Sequence, residues 1–533
     1  MSQTFDYIVV GAGSAGCVLA NRLTESGKHS VLLLEAGPRD RNPWIHIPIG
    51  YGKLFDNSRV NWLYETEPEP ELKGRRIVQP RGKVLGGSSS INGLLYIRGQ
   101  HADFDNWRQL GNVGWSFEDV LPYFMRAEDQ ENGGDAWHGT GGPLAVSNPR
   151  DSHPLVEAFI AACESLGLPR NDDFNGATQE GVGYFQTTSR KGRRCSTAVG
   201  YLKPARGRPN LEVATEALAT QVVFDGKRAV GVLYRQGDKL RRADARCEVL
   251  LCGGAINSPQ LLELSGVGDG ARLARLGIPV IHDNPQVGEN LQDHLQAGIV
   301  MECTKPITVN DQYHNPLRRA AMGLDYAVRR RGSLAIAAAV GSAFFKAAPE
   351  SATPDTQVHF ILFSTDKRGA ALHDFSGFTA SICLLRPESR GSVHIASADP
   401  AEAPKIVANY LSTAYDRRVT LAGLKRLRAF LQAEPLAPFV AKEVTPGAEV
   451  ETDEALLDYI RASSTTIYHP TCTCAMGPGD DAVVAPDLKV KGVERLRVVD
   501  GSIMPRLVSG NTNAAVVMIG EKAADMIRAD AMA

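Results

Sequence analysis

Residues 5–36 restrict what this chain can fold into more than any other stretch. Phe5, Tyr7, Ile8, Val9 and Val10 form the short apolar run of a buried strand, and Gly11-Ala12-Gly13-Ser14-Ala15-Gly16 follows without a gap. Residues 17–23 open a helix, and 31–34 form a second apolar strand that ends on Glu35. This is a G-x-G-x-x-G turn inside a βαβ unit, with an acid about 20 positions on. Gly11 permits the tight turn, Gly13 the close approach of a pyrophosphate, and Gly16 the packing of helix on strand. The helix N-terminus then faces the phosphates. Glu35 can accept hydrogen bonds from ribose hydroxyls and would repel a 2′-phosphate, which disfavours NADP. FAD and NAD both remain open at this point.

The length of 533 residues predicts two domains, and the composition excludes some partners. Basic residues number 58 and acidic 60, so no strong field favours nucleic acid. No signal peptide is recognised, and no apolar run reaches the roughly 18 residues of a spanning helix. A cytoplasmic protein is expected, with peripheral membrane contact left open. The nine cysteines are scattered without a C-x-x-C pair, which predicts reduced thiols and no metal site.

Two further runs stand out. Arg81-Gly82-Lys83-Val84-Leu85-Gly86-Gly87-Ser88-Ser89-Ser90-Ile91-Asn92-Gly93 combines glycines and hydroxyls, leaving backbone accessible to something flat or anionic. Gly254-Ala255-Ile256-Asn257-Ser258-Pro259-Gln260-Leu261-Leu262-Glu263-Leu264-Ser265-Gly266-Val267-Gly268 reads as a helix with a glycine stop. Residues 82–105, with Asn92 and Tyr96, and residues 254–268 resemble the two signatures of the glucose–methanol–choline (GMC) flavoprotein oxidoreductases. The resemblance spans the chain and looks nearest to bacterial choline-dehydrogenase-like and alcohol-oxidising members. It implies an α/β fold: an FAD-binding, Rossmann-like domain of glutathione-reductase type, interleaved with an α+β substrate domain on an antiparallel sheet. The expected boundaries are 1–150, 192–302 and 464–533 for the first, and 151–191 and 303–463 for the second. Strands at 211–213, 221–224, 230–234, 249–252, 357–363, 378–385 and 496–499 agree, as do helices at 254–264, 416–431 and 514–528.

Only one fingerprint follows a strand and opens a helix, so one dinucleotide is bound, and the signatures imply FAD. By resemblance, Gly11, Gly13, Gly16 and Glu35 hold the ADP half, and Val222 supplies an adenine-side backbone contact. Arg81, Gly82, Gly86, Asn92, Gly93 and Leu95 run along the pyrophosphate, ribityl chain and ring. Asp500, Gly501, Asn511, Thr512 and Asn513 approach the ribityl chain and pyrimidine edge. Further contacts are implied at Ser14, Ala15, Ala36, Trp62, Val84 and Ser89. Some family members attach FAD through a histidine two residues after the Ser-Ser pair. Ile91 offers no such atom, so dissociable FAD is expected.

The chemistry this implies is oxidation of a primary alcohol to an aldehyde, by hydride transfer to flavin N5. The hydroxyl proton needs a base, and neutral imidazole suits the task. His469 precedes Pro470, which holds its backbone extended, and it occupies the family's base position. Asn513 is expected as the second active-site residue, orienting the substrate oxygen, with Asn511 as a structural or flavin-facing neighbour. The partners are then a small alcohol and an electron acceptor, either oxygen or a quinone-like carrier. Choline is an alternative substrate, and a hydroxynitrile-lyase-type reaction with structural FAD is a more distant one. Cys472 and Ala475 stand where many relatives carry glycine and arginine.

Overall fold

The computed structural model describes residues 3–366 and 369–532. The fingerprint strand Gln3–Val10 lies inside a seven-stranded sheet. Along that sheet the strands run Leu211–Ala214, Val31–Leu34, Gln3–Val10, Lys239–Leu251, Arg228–Gln236 and Ala217–Asp225. The first four are mutually parallel and the last two antiparallel. Lys239–Leu251 is long enough to serve two neighbours. Its first half pairs with Arg228–Gln236, and residues 249–251 pair in parallel with Leu496–Val498. Val31–Leu34 is buried throughout, as expected of a strand covered on both faces.

The parallel strands deliver helices with their N-termini at one edge of the sheet. The helix Ser14–Thr24 leaves the first strand, Gly254–Leu264 leaves Lys239–Leu251, and Asn513–Asp530 packs beside the first of these. Gly520 is the contact point: a Cβ there would lie 3.0 Å from Val18 and 3.2 Å from the Ala15 Cα.

The second sheet is antiparallel. Its order is Val440–Thr445, Leu295–Cys303, Gly377–Leu384, Thr356–Ile361, Gly341–Phe345 and Gly181–Tyr184, with Thr465–Thr466 pairing at the start of Leu295–Cys303. The strand Leu295–Cys303 therefore pairs here, although the boundary expected at 302 placed it with the nucleotide-binding part. Its apolar run gave no sign of which sheet it joins. Helix Ala414–Gln432 covers one face of the sheet. The period-two alternation of strands divides each sequence between that covered face and the opposite one. Ala297, Ile299, Met301, Val358, Phe360, Phe378, Ala380 and Ile382 enter the core. Gln296, Gly298, Val300, His359, Ile361, Thr379 and Ser381 point the other way, into a cavity between the two sheets.

Candidate active site

One cavity of about 1180 Å³ runs from the glycine fingerprint to the loop carrying His469. That exceeds the roughly 300–1,000 Å³ of ordinary small-molecule pockets, as a dinucleotide with a second reactant requires. The glycines of the fingerprint divide by what surrounds them. A Cβ on Gly11, where φ is +102°, would sit 2.5 Å from the Cys252 carbonyl oxygen. One on Gly16 would sit 1.9 Å from the Gly11 carbonyl oxygen. One on Gly13 would meet only the Cys252 oxygen, at 3.8 Å. Protein contacts thus explain Gly11 and Gly16. Gly13 fronts open cavity, which is the space a pyrophosphate would fill.

The helix starts around this space carry free positive ends. Ser14–Thr24 and Asn513–Asp530 have no side-chain cap and no acid in their first turns. Ser14, Ala15, Thr512 and Asn513 line the cavity, and the Ser14 hydroxyl donates to Asn513 Oδ1 at 2.8 Å. Two dipoles and several first-turn amides therefore face one volume. Glu35 closes the far end. Its carboxylate accepts from the Ala12 and Gly37 amides at 3.0 and 2.8 Å, and burial pushes its pKa up to about 7. Asp500 is turned into the protein, accepting from Gly254 N–H at 2.8 Å and from the Ser258 and Ser502 hydroxyls at 2.6 Å. This ties the start of Gly254–Leu264 to the C-terminal strand. The donor set, the open glycine and the uncapped helices fit a dinucleotide such as FAD.

Of the expected cofactor residues, Gly11, Gly13, Ser14, Ala15, Glu35, Ala36, Trp62, Arg81, Gly82, Asn92, Gly93, Leu95, Asp500, Gly501, Asn511, Thr512 and Asn513 line this cavity. Gly16, Val84, Gly86 and Ser89 lie behind its wall. Val84 packs with Ile45, Leu54, Val60 and Ile91. Gly86, at φ +89°, donates its N–H to the Ala12 carbonyl, and the Ser89 hydroxyl donates to the Gly86 carbonyl. They shape the wall from behind. Val222 requires a correction. It is buried off the cavity with its amide donated to Ser265 Oγ at 2.8 Å, whereas Ala217, Leu218 and Ala219 line the wall. A β-bulge between Ala219 and Gln221 shifts the strand's register there.

At the other end stands His469, buried to 8% exposure. Asp293 fixes its backbone. One carboxylate accepts from the amides of His294 (2.9 Å) and His469 (2.8 Å), and from the side chains of Tyr410, Thr466 and Gln79. The His469 ring lies between two partners. Its Nδ1 is 3.0 Å from Nδ1 of His294, and its Nε2 is 3.3 Å from Nδ2 of Asn511.

The protons on these rings follow from the partners. His294 Nε2 lies 3.0 Å from the Leu385 carbonyl oxygen, which only accepts, so this nitrogen carries a hydrogen. Complete burial pulls the His294 pKa down, keeping the ring neutral, and its Nδ1 therefore holds a lone pair. His469 Nδ1–H must then donate to it, which leaves the His469 Nε2 lone pair on the cavity side. Asn511 Nδ2–H points to that nitrogen, and Asn511 Oδ1 accepts from Gln357 Nε2 at 3.2 Å. The sequence reading placed Asn513 beside the base. The structure places Asn511 there and turns Asn513 to Ser14.

The loop itself is tightly folded. Tyr468 (φ +70°) and Cys472 (φ +75°) both adopt the left-handed region. Cys472 thus occupies backbone where the glycine of many relatives would be at ease. Burial raises its thiol pKa to about 12, so it is neutral. Arg81 donates to the Tyr468 carbonyl at 2.5 Å, and burial lowers its pKa to about 10. Sequence reasoning gave neither His294 nor Asp293 a role. A histidine next to an acid inside a glycine- and asparagine-rich turn was the only available signal.

The sequence signature described as GMC oxidoreductase matches residues 5–296 in its N-terminal form and 387–520 in its C-terminal form. The chain is 44% identical to choline dehydrogenase, mitochondrial, of Homo sapiens, over 98% of this chain and 90% of that protein. It is equally similar, at 44%, to alcohol dehydrogenase [acceptor] of Pseudomonas putida, over 98% and 95%. Among solved structures, pyridoxine 4-oxidase from Mesorbium loti superposes with a TM-score of 0.89 at 33% identity, covering 98% of both chains. The fold and the site together define an α/β oxidoreductase with a dinucleotide-binding half. The chain belongs to the GMC oxidoreductase family.

Proposed function

We propose that this protein is an FAD-dependent enzyme that oxidises a primary alcohol to the aldehyde, with His469 as the base. The observation that carries the reading is the hydrogen-bond chain from the Leu385 carbonyl through His294 to His469, which leaves His469 Nε2 as an acceptor on the cavity side. Bound FAD would supply the hydride acceptor. Gly13, the amides of Ser14 and Ala15, and the start of Asn513–Asp530 would hold its pyrophosphate. Glu35 would meet the ADP ribose, with Arg81, Gly82, Asn92 and Gly93 along the remainder. Ile91, which lines the cavity, has no nucleophilic atom, so the cofactor is held without a covalent bond at that position.

The alcohol hydroxyl takes the place of the Asn511 Nδ2–H at His469 Nε2 and donates to that nitrogen, and the proton moves there as the C–H bond is given up. The resulting imidazolium keeps its Nδ1–H bond to His294. The Asn511 amide donates to the substrate oxygen and orients it. Asp293 and Pro470 hold the backbone so that neither ring must be reorganised during the reaction.

A neutral alcohol fits this end of the cavity better than choline. The polar side chains there are Gln296, Ser381, Thr379 and His359, beside Ile361, Phe363 and Ile467. The acidic side chains along the described cavity wall are Glu35 and Asp500, engaged as above, and Asp56 and Asp366, exposed at the mouth. Apart from those four, no carboxylate lines the described wall, and a quaternary ammonium would have only aromatic faces such as Phe363 and Tyr468 to meet. The electron acceptor is oxygen or a quinone-like carrier. The nucleotide-binding part comprises 1–150, 192–294 and 464–533, and the substrate part 151–191 and 295–463, with Leu295–Cys303 assigned to the sheet in which it pairs.

The test is His469→Ala. The variant should purify yellow and lose about 10²–10⁴-fold in the rate at which an alcohol bleaches the flavin. Retention of the full rate would refute the assignment.

A further inference from the structure

The helix Pro316–Arg329 has its faces inverted. Among its residues only Tyr326 is buried, its hydroxyl donating to the Gly192 carbonyl at 3.1 Å. At 100° per residue, Ala327, Ala320, Leu324, Leu317, Val328 and Ala321 occupy an unbroken apolar arc of about 120°. That arc points to solvent: Leu317 is 82% exposed, Val328 73% and Leu324 67%. An amphipathic helix of a globular protein buries such a face. Arginines surround it, at 318, 319, 329, 330 and 331, against Asp325 alone, in a chain whose formal net charge is −2. The same helix forms part of the cavity mouth, through Arg319, Met322 and Gly323.

We propose that Pro316–Arg329 is an in-plane docking helix that seats the cavity mouth on an anionic lipid surface. The apolar arc enters the boundary between headgroups and acyl chains, and the arginines meet lipid phosphates. Fourteen residues span about 21 Å, too short to cross a bilayer, so the helix lies flat. A second copy of the chain fits poorly. Three large side chains on one ridge fall short of the roughly 800 Å² per partner of a stable interface. A two-fold contact would also set like-charged arginines against each other. Docking brings the mouth to the phase in which lipophilic alcohols and quinone-class acceptors concentrate. The docking itself does not depend on the proposed reaction.

The experiment is co-sedimentation of the yellow holoprotein with phosphatidylcholine vesicles, with and without phosphatidylglycerol. Binding at least tenfold tighter to the anionic vesicles, reversed by added salt, is expected. Leu324→Glu with Val328→Glu should weaken binding at least tenfold. Arg318→Gln with Arg329→Gln should remove most of the preference for anionic vesicles. The flavin spectrum and melting temperature show that each variant is folded, independently of activity. Three results would overturn the proposal: no binding by the wild type, equal binding by both double variants, or a dimer that the Glu substitutions split while vesicles are ignored.

Discussion

Replacing His294 with leucine removes the acceptor that sets the His469 tautomer while keeping a side chain of similar bulk in a fully buried position. In the native protein, Nδ1 of His294 takes the His469 Nδ1–H at 3.0 Å. Without it, one of two things happens. The Nδ1–H stays, buried and unpaired, at a cost of about 1–3 kcal/mol. Otherwise the ring adopts the other tautomer, its Nε2 carries a hydrogen, and it cannot accept the hydroxyl proton. Either way the competent state is penalised by about 1–3 kcal/mol, which slows alcohol oxidation about 5–150-fold. His294→Asn can place its amide oxygen near the lost Nδ1 and should recover most of the rate. The assay is anaerobic stopped-flow bleaching of the flavin by a saturating alcohol, across pH. The leucine variant should retain flavin, react slowly and show a displaced pH profile, because the base has lost its partner. A leucine variant with the wild-type rate and pH profile would refute the tautomer argument.

Three further outcomes follow from the geometry. Asn511→Ala should slow flavin reduction about 10–100-fold with flavin retained, whereas Asn513→Ala should mainly loosen flavin; the reverse pattern in flavin content and rate would reinstate Asn513 as the residue at the base. Gly13→Ala should fold but bind flavin weakly, because its methyl enters open cavity, while Gly11→Ala should impair folding, because its Cβ meets the Cys252 oxygen at 2.5 Å; soluble yield and flavin content separate the two. Glu35 has a folded pKa of about 7 against 4.5 for the free group, so its contribution to stability is fully present below about pH 4.5 and is lost as pH rises through about 7. Melting of flavin-free protein should thus show Glu35→Gln gaining on the wild type by up to about 3 kcal/mol between pH 5 and 8, and a pH-independent difference would contradict this.

The nucleotide-binding half was largely legible because its signals are local. A strand, three glycines, a helix and an acid lie within 31 residues, each with its own physical reason, and Gly11, Gly13 and Glu35 stand where the pattern implies. Asn511 and Asn513 were harder. Both precede a helix in an N-x-N run, and only tertiary structure decides which faces His469. Asn513 begins the helix and reaches Ser14, while Asn511 stays in the loop before it. Val222 was placed by family resemblance alone, and the structure puts Ala217, Leu218 and Ala219 of the same strand on the cavity wall instead. The His294–His469 pair joins residues 175 apart, and no local periodicity announces a contact between two ring nitrogens. The substrate end was the least legible. Its wall is built from alternate residues of three strands, each half of which reads as ordinary core.

The most direct test of the central claim is anaerobic mixing of the purified yellow protein with benzyl alcohol, medium-chain alkanols and choline, following flavin absorbance. The account predicts bleaching by a neutral primary alcohol, faster than by choline, with one aldehyde formed per flavin reduced. A flavin that stays oxidised with every alcohol, while the protein cleaves a hydroxynitrile, would contradict it and make the cofactor structural.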